Sequence, residues 1–256
     1  MKYRNVAGLL RWISACFAVL LAALRVTILK TAFDDSGLLP IGSLALPVTV
    51  GVCACFFVIL WLLSLKLNAR PGRESAFSVQ GIWLPLKLAA AGLLMAGSVL
   101  TLLNLEHLAV KDPETVIPCV GALSALLMVW NSMSERRGTG FFWARLIPTI
   151  FTGAALVIRF RAWSHDPMVI HIVPLLLTWT CCMVEMMLLS GFSLNVGHRR
   201  SSVLFGLSAG MFACMSIPDY ILTKRLTMPD LLTVLGLAFW CVIAALELLR
   251  ERTQSK

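Results

Sequence analysis

Long apolar stretches separated by short polar segments follow one another along the whole chain. Eight of these stretches approach or exceed the roughly 20 residues that a helix needs to cross the hydrocarbon core of a bilayer. Backbone groups in lipid must all be hydrogen-bonded, so a membrane-spanning segment is either a helix or a strand of a closed barrel. None of the stretches shows the period-two alternation of barrel strands, which leaves helices. The pattern therefore predicts an all-α integral membrane protein, a bundle of about eight transmembrane helices forming a single polytopic domain over residues 1–256. The predicted spans are 6–27, 41–65, 82–105, 116–133, 141–160, 168–189, 203–222 and 231–249.

Composition excludes the soluble alternative. Hydrophobic residues make up 59% of the chain and charged residues 14%, whereas soluble domains have about 45–50% and about 25%. The eight cysteines all lie within apolar runs, no C-x-x-C is present, and such cysteines behave as small hydrophobic residues. The lipid bilayer is the predicted surrounding, and no cofactor is predicted.

The distribution of Lys and Arg predicts the orientation of the bundle. Seven of these residues lie in one set of alternate loops and 14 in the other set, which includes both termini. Because cytoplasmic loops carry the excess of basic residues, we expect both termini in the cytoplasm and a plasma-membrane location. The net charge of +9 is explained in the same way, and no basic stretch is interleaved with aromatic residues as nucleic-acid binding would require. The 14 residues are Lys2, Arg4, Arg11, Lys66, Arg70, Arg73, Arg136, Arg137, Arg145, Arg199, Arg200, Arg250, Arg252 and Lys256.

Two features of the organisation leave alternatives open. Basic residues followed by a short apolar run at the N-terminus also resemble a cleavable signal peptide, and its removal would leave seven spans. Acidic residues, often beside proline, follow every odd-numbered span. This pattern predicts four tandem helical hairpins, although Asp and Pro also favour turns in general.

Ionisable residues inside spans are the main candidates for a site, because burying charge in lipid is costly. Lys87 in the third span and Glu185 in the sixth are predicted at similar depth near the cytoplasmic face. They are expected to pair and to line a polar cavity, the alternative being that each snorkels to the interface separately. Arg25 and Asp219 form a second candidate pair near the opposite face, although Arg25 is long enough to snorkel. Together these four residues are the predicted solute- or ion-binding residues.

Two further motifs are weaker. Acidic and histidine side chains gather in the predicted outer loops, but they lack the spacing of a helical metal motif, and a solvated acidic rim is the preferred interpretation. The segment 206–210 matches G-x-S-x-G, yet it lies inside an apolar run, whereas a nucleophile elbow needs a strand-to-helix turn. Close helix packing through small residues explains it better. The outer-loop residues are Glu106, His107, Asp112, Glu114, His165, Asp166 and His171.

No motif is specific enough to assign a family. The sequence favours a membrane-embedded binder of a small solute or ion, acting as a transporter, a transporter subunit or a sensor. The alternative is a non-catalytic membrane subunit that recruits or stabilises a partner membrane protein. An intramembrane enzyme has only Ser208 and the outer-loop residues as candidates, and no catalytic residue is predicted.

Overall fold

The computed structural model describes residues 2–33, 43–67, 82–105, 113–137, 142–164, 172–194, 196–223 and 226–250. Within these ranges the chain forms eight helices, each long and apolar enough to cross a membrane. The prediction of an all-α bundle with eight spans is confirmed. The helices are α1 (Lys2–Thr31), α2 (Ala45–Leu65), α3 (Trp83–Leu103), α4 (Pro113–Arg137), α5 (Phe142–Trp163), α6 (Val173–Ser193), α7 (Arg199–Thr223) and α8 (Met228–Leu249).

Six of the helices close into a ring. Each helix from α3 to α7 packs on the next helix in the sequence, and α8 closes the ring by packing on α3. The remaining two helices lie outside this ring on α7, where α1 packs extensively and α2 more lightly. Buried residues are accordingly most frequent in α7 and α8, at 72% of each span, and least frequent in α2, at 17%.

Glycines allow the closest approaches around α8. A Cβ on Gly236 would lie 2.5 Å from the backbone nitrogen of Leu94 in α3, and a Cβ on Gly206 would lie 2.7 Å from the carbonyl oxygen of Cys241. Only residues without a side chain fit where backbones meet at this distance. The interpretation of segment 206–210 as a packing motif is thus supported, since Gly206 and Ser208 are buried in the middle of α7.

The two ends of the bundle are distinguished by the course of the chain. With eight antiparallel helices, α1 begins and α8 ends at the same end, here called the terminal end, and the opposite end is called the distal end. The prediction of four tandem hairpins is not tested by packing from α3 to α8, because α4–α5 and α6–α7 pack together as α3–α4, α5–α6 and α7–α8 do. It is weaker for the first pair, because α1 packs more extensively on α7 than on α2.

Candidate functional site

A buried ion pair joins α3 to α8 near the terminal end. Lys87 lies one turn inside α3, and its Nζ is 2.7 Å from Oε2 of Glu247, two residues before the end of α8. The side chains of both residues are at most 5% exposed. The ammonium group also lies 5.7 Å from the ring centroid of Trp240, within the range of a cation–π interaction.

The predicted pairing of Lys87 with Glu185 is wrong. Glu185 points towards α7, where its Oε1 accepts a hydrogen bond of 2.5 Å from Ser202 Oγ. The predicted depth of Glu185 assumed that its helix ends at Leu189, but α6 continues to Ser193, so Glu185 lies about 12 Å from the helix end at 1.5 Å per residue. Glu247 is closer in depth to Lys87, and α8 is the direct neighbour of α3.

Glu185 nevertheless has an unusual environment. It is completely buried, and its second oxygen, Oε2, accepts no hydrogen bond from any residue that the structure describes. Buried carboxyl oxygens normally have partners, since leaving one unsatisfied costs free energy. This unsatisfied acceptor is the reason to consider Glu185 as a ligand contact, although it lines neither of the cavities described below.

A small cavity adjoins Lys87 and is lined by residues of α3, α4, α5, α6 and α8. This terminal cavity has a volume of about 20 Å³, enough for about one water molecule. Its polar lining consists of Lys87, Asn131 and Arg145, all at most 6% exposed. Arg145 Nη1 donates to Ser193 Oγ at 2.9 Å and to the Leu189 carbonyl at 3.3 Å, which holds the guanidinium at the end of α6.

Sequence reasoning missed Glu247 and Arg145 as site residues. Glu247 lies inside the predicted eighth span and Arg145 inside the predicted fifth, so the cost of burying charge that singled out Lys87 applied to both. Each was close enough to a span end to be attributed to the adjacent loop. Their burial follows from the ring, which surrounds both positions with other helices.

The second predicted pair is present at the distal end. Arg25 in α1 meets Asp219 in α7 through Nη2 to Oδ1 at 2.7 Å and through Nε to Oδ1 at 3.0 Å. The side chains are 5% and 6% exposed, so Arg25 does not snorkel to the headgroups. A second cavity of about 20 Å³, the distal cavity, adjoins this pair and is lined by Asp219, Ser216, Thr223 and Trp163, among others.

A layer of two aromatic side chains lies between the depths of the two cavities. Phe151 of α5 and Trp179 of α6 pack edge to face with centroids 5.9 Å apart, and both are at most 2% exposed. Along α6 the layer lies between Leu175 of the distal cavity and Met186 of the terminal cavity. These two residues are about 16 Å apart along the helix at 1.5 Å per residue, so the two cavities lie at different depths in the bundle.

The other candidates from the sequence contribute little here. The outer-loop residues Glu106, His107, Asp112, His165, Asp166 and His171, and the side chain of Glu114, lie outside the described part of the chain. Within the described ranges no cluster of three metal-binding side chains occurs. Ser208 is buried in α7 with no described hydrogen-bond partner, and no histidine of the described ranges lies in a neighbouring span.

No family model, curated protein or solved structure matches the chain. Function is therefore inferred from the geometry of the bundle. Among the described residues, this polytopic membrane protein has two ion pairs whose side chains are at most 6% exposed, each beside a cavity at one end of the bundle.

Proposed function

We propose that this protein is a membrane-embedded transporter for a small solute or ion. The observation that carries the proposal is the presence of two cavities at opposite ends of the bundle, each beside a buried ion pair, with the Phe151–Trp179 layer at a depth between them. Alternate exposure of a buried binding site to the two sides of the membrane is the general arrangement of secondary transporters. A sensor or a static binding protein needs one chamber, whereas transport needs access from both ends.

Each ion pair has a role in this scheme. Lys87 and Glu247 neutralise one another in the structure described, and a charged or strongly polar ligand competes for one of them when the terminal cavity widens beyond its present volume of about 20 Å³. Arg25 and Asp219 serve the distal end in the same manner. Glu185 Oε2 lies deeper than the Lys87–Glu247 pair and offers an acceptor to a cation or to a donor group of the ligand.

A thermal-shift screen of the purified protein in mild detergent, against amino acids, nucleosides, sugars and inorganic ions, tests this proposal. A ligand present at about 100 times its Kd should stabilise the protein by about 2.7 kcal/mol. The decisive variant is the double substitution Lys87→Met with Glu247→Leu, which removes both charges together and should retain the fold. We expect the ligand-induced shift to be absent in this double variant and in Glu185→Gln.

Lys66→Met provides the matched control, because Lys66 is an exposed lysine just after α2. It should bind as the wild type does. A ligand shift that survives the double variant would remove the Lys87–Glu247 pair from the site. The absence of a shift with every compound in a folded protein would contradict the solute-binding proposal as a whole.

The second candidate function is a non-catalytic subunit that binds a partner membrane protein. It is favoured by α2, of which only 17% is buried and whose main contacts are with α7 and α1. Its exposed apolar face includes Val48, Val58 and Trp61. Stoichiometric co-purification of one other membrane protein, lost on substituting this face, would favour this candidate over transport.

A further inference from the structure

A large apolar groove runs along the outside of the ring, apart from the two ion-pair cavities. It has a volume of about 600 Å³, within the range of about 300–1,000 Å³ that is usual for ligand pockets. Its floor is α7, and its walls are α1 and α8, which both pack on α7 but make little contact with one another. The groove is therefore a gap between two helices on the surface of a third.

Helical spacing defines the groove as one continuous channel. On α8 the wall consists of Leu235, Phe239, Val242 and Leu246, whose separations of four, three and four residues place them on one face of the helix. On α1 the wall consists of Arg11, Ser14, Ala15 and Ala18, also on one face, and the small side chains leave the space open.

The length of the groove corresponds to one leaflet of a bilayer. From Leu235 to Leu246 the channel extends along α8 for about 16 Å at 1.5 Å per residue, which is half of the roughly 30 Å hydrocarbon core. It begins at the terminal end, since Leu246 is three residues before the end of α8. A helix of a partner protein crosses both leaflets, so a channel of half that length fits an acyl chain better.

A cation lies at the mouth of the groove. Arg11 lines the groove at the terminal end of its α1 wall and is exposed. It has no hydrogen-bond or ion-pair partner among the described residues. The adjacent Trp12 is 74% exposed, and exposed tryptophan is typical of the membrane–water interface. The polar end of the channel thus carries a positive charge at the level of the lipid headgroups, while its remainder is almost wholly apolar.

We infer that this groove is a binding site for one anionic phospholipid, with an acyl chain between α1 and α8 and the headgroup phosphate on Arg11. The guanidinium group suits a phosphate because it donates two parallel hydrogen bonds in addition to its charge. An anionic headgroup is favoured over a zwitterionic one because the latter brings its own cation to the same position. This inference is independent of the transport proposal.

Native mass spectrometry of the full-length protein, titrated with dioleoylphosphatidylglycerol or dioleoylphosphatidylcholine, tests the inference. We expect one phosphatidylglycerol to bind saturably and more tightly than phosphatidylcholine by about fivefold, the effect of one basic residue near a membrane surface. Arg11→Gln should abolish this preference, and Ala18→Phe should weaken both lipids by filling the channel.

Two variants on α1 outside the groove serve as controls. Ala23→Phe adds the same side chain at an exposed position, and Lys30→Gln removes an exposed cation at the distal end; both should bind lipid as the wild type does. Equal binding of the two lipids by the wild type, or an undiminished preference in Arg11→Gln, would overturn the inference. Since Arg11 is exposed and has no described partner, its variant is decisive even if Ala18→Phe does not fold.

Discussion

Charge inside a membrane protein is tolerated when it is paired, and this dependence makes Lys87 and Glu247 an informative pair of residues. Removing one partner leaves the other buried without compensation, which costs about 3–5 kcal/mol. We therefore predict that Lys87→Met and Glu247→Gln each lower the unfolding free energy by about this amount. The double variant Lys87→Met with Glu247→Leu should recover most of the loss. Thermal or denaturant unfolding in detergent measures all three.

The same measurement distinguishes the observed pair from the one that the sequence predicts. A double-mutant cycle between Lys87 and Glu247 should show strong coupling, while a cycle between Lys87 and Glu185 should be close to additive. The exposed Lys66→Met should change stability by no more than about 0.5 kcal/mol. Coupling of Lys87 to Glu185 at the level expected for Glu247 would contradict the contacts described above.

Arg25 supports a second prediction, which concerns geometry rather than charge. Its guanidinium contacts Asp219 through both Nε and Nη2, and a lysine retains the charge but has no planar fork to reproduce this arrangement. Arg25→Lys should cost about 1.5–3 kcal/mol, the range for hydrogen bonds to charged groups. Arg161→Lys, an exposed arginine at the same end of the bundle, is the control. Equal melting temperatures for the two variants would show that the fork is unimportant.

At the scale of single residues, the sequence identifies which charged side chains are costly to bury in lipid, but it does not identify which of them form ion pairs. Lys87, Glu185, Arg25 and Asp219 are all buried, as their positions within spans require. Depth alone gave Lys87 an incorrect partner because two carboxylates lie on the same half of the bundle. Choosing between them requires the lateral order of the helices, and apolar spans carry little information about that order.

At the scale of helices, the contact of α3 with α8 depends on the absence of side chains. A methyl group on Gly236 would lie 2.5 Å from the nitrogen of Leu94 and 2.8 Å from the carbonyl oxygen of Ala90, and these backbone atoms cannot move without displacing α3. We predict that Gly236→Ala lowers the unfolding free energy by about 1–3 kcal/mol, the usual cost of overpacking.

Gly92 in α3 provides the control for this prediction. A Cβ at that position would have no atom within 4 Å, so Gly92→Ala should be neutral or stabilise the protein by up to about 1 kcal/mol through helix propensity. If both substitutions change the melting temperature in the same direction, the close approach of α3 and α8 cannot be the cause.

The helices themselves were predictable because lipid imposes their length and composition on the sequence. The residues at which the helices end were less predictable, as α6 illustrates. The predicted span stops at Leu189, after which Ser190, Gly191 and Ser193 dilute the apolar pattern. The helix continues to Ser193, which accepts a hydrogen bond from Arg145 of the adjacent α5, a tertiary interaction that hydropathy does not register.

At the scale of the whole molecule, the aromatic layer should separate the two cavities. Phe151→Ala removes the ring that packs against Trp179 and should open a passage between the terminal and distal cavities. We predict a severalfold increase in passive proton leakage across proteoliposomes, measured with an enclosed pH-sensitive dye. Phe56→Ala is the matched control, since Phe56 is equally buried but packs on Phe17 outside the ring.

Both truncations should cost a similar amount of stability, about 3–5 kcal/mol for a buried phenylalanine, so only a leak specific to Phe151→Ala supports the layer. Equal leakage from the two variants would indicate general loosening of the bundle. Leakage from neither variant would mean that the cavities are not connected by removing this ring, and the transport proposal would lose its route.

The orientation of the bundle is the remaining property of the whole molecule that the sequence predicts and the fold alone does not test. The eight helices of the described residues place the start of α1 and the end of α8 at one end, and the loops that the sequence assigns to that end carry 14 Lys and Arg residues against seven in the others. We predict that a fluorescent protein fused after Lys256 is bright and that alkaline phosphatase fused there is inactive. Phosphatase fused after residue 110, between α3 and α4, should instead be active. The reverse result would place the terminal end outside, and the Lys87–Glu247 cavity would then face the exterior. It would leave the ion pairs and the aromatic layer unchanged, because these depend on helix packing and not on which side of the membrane each end occupies.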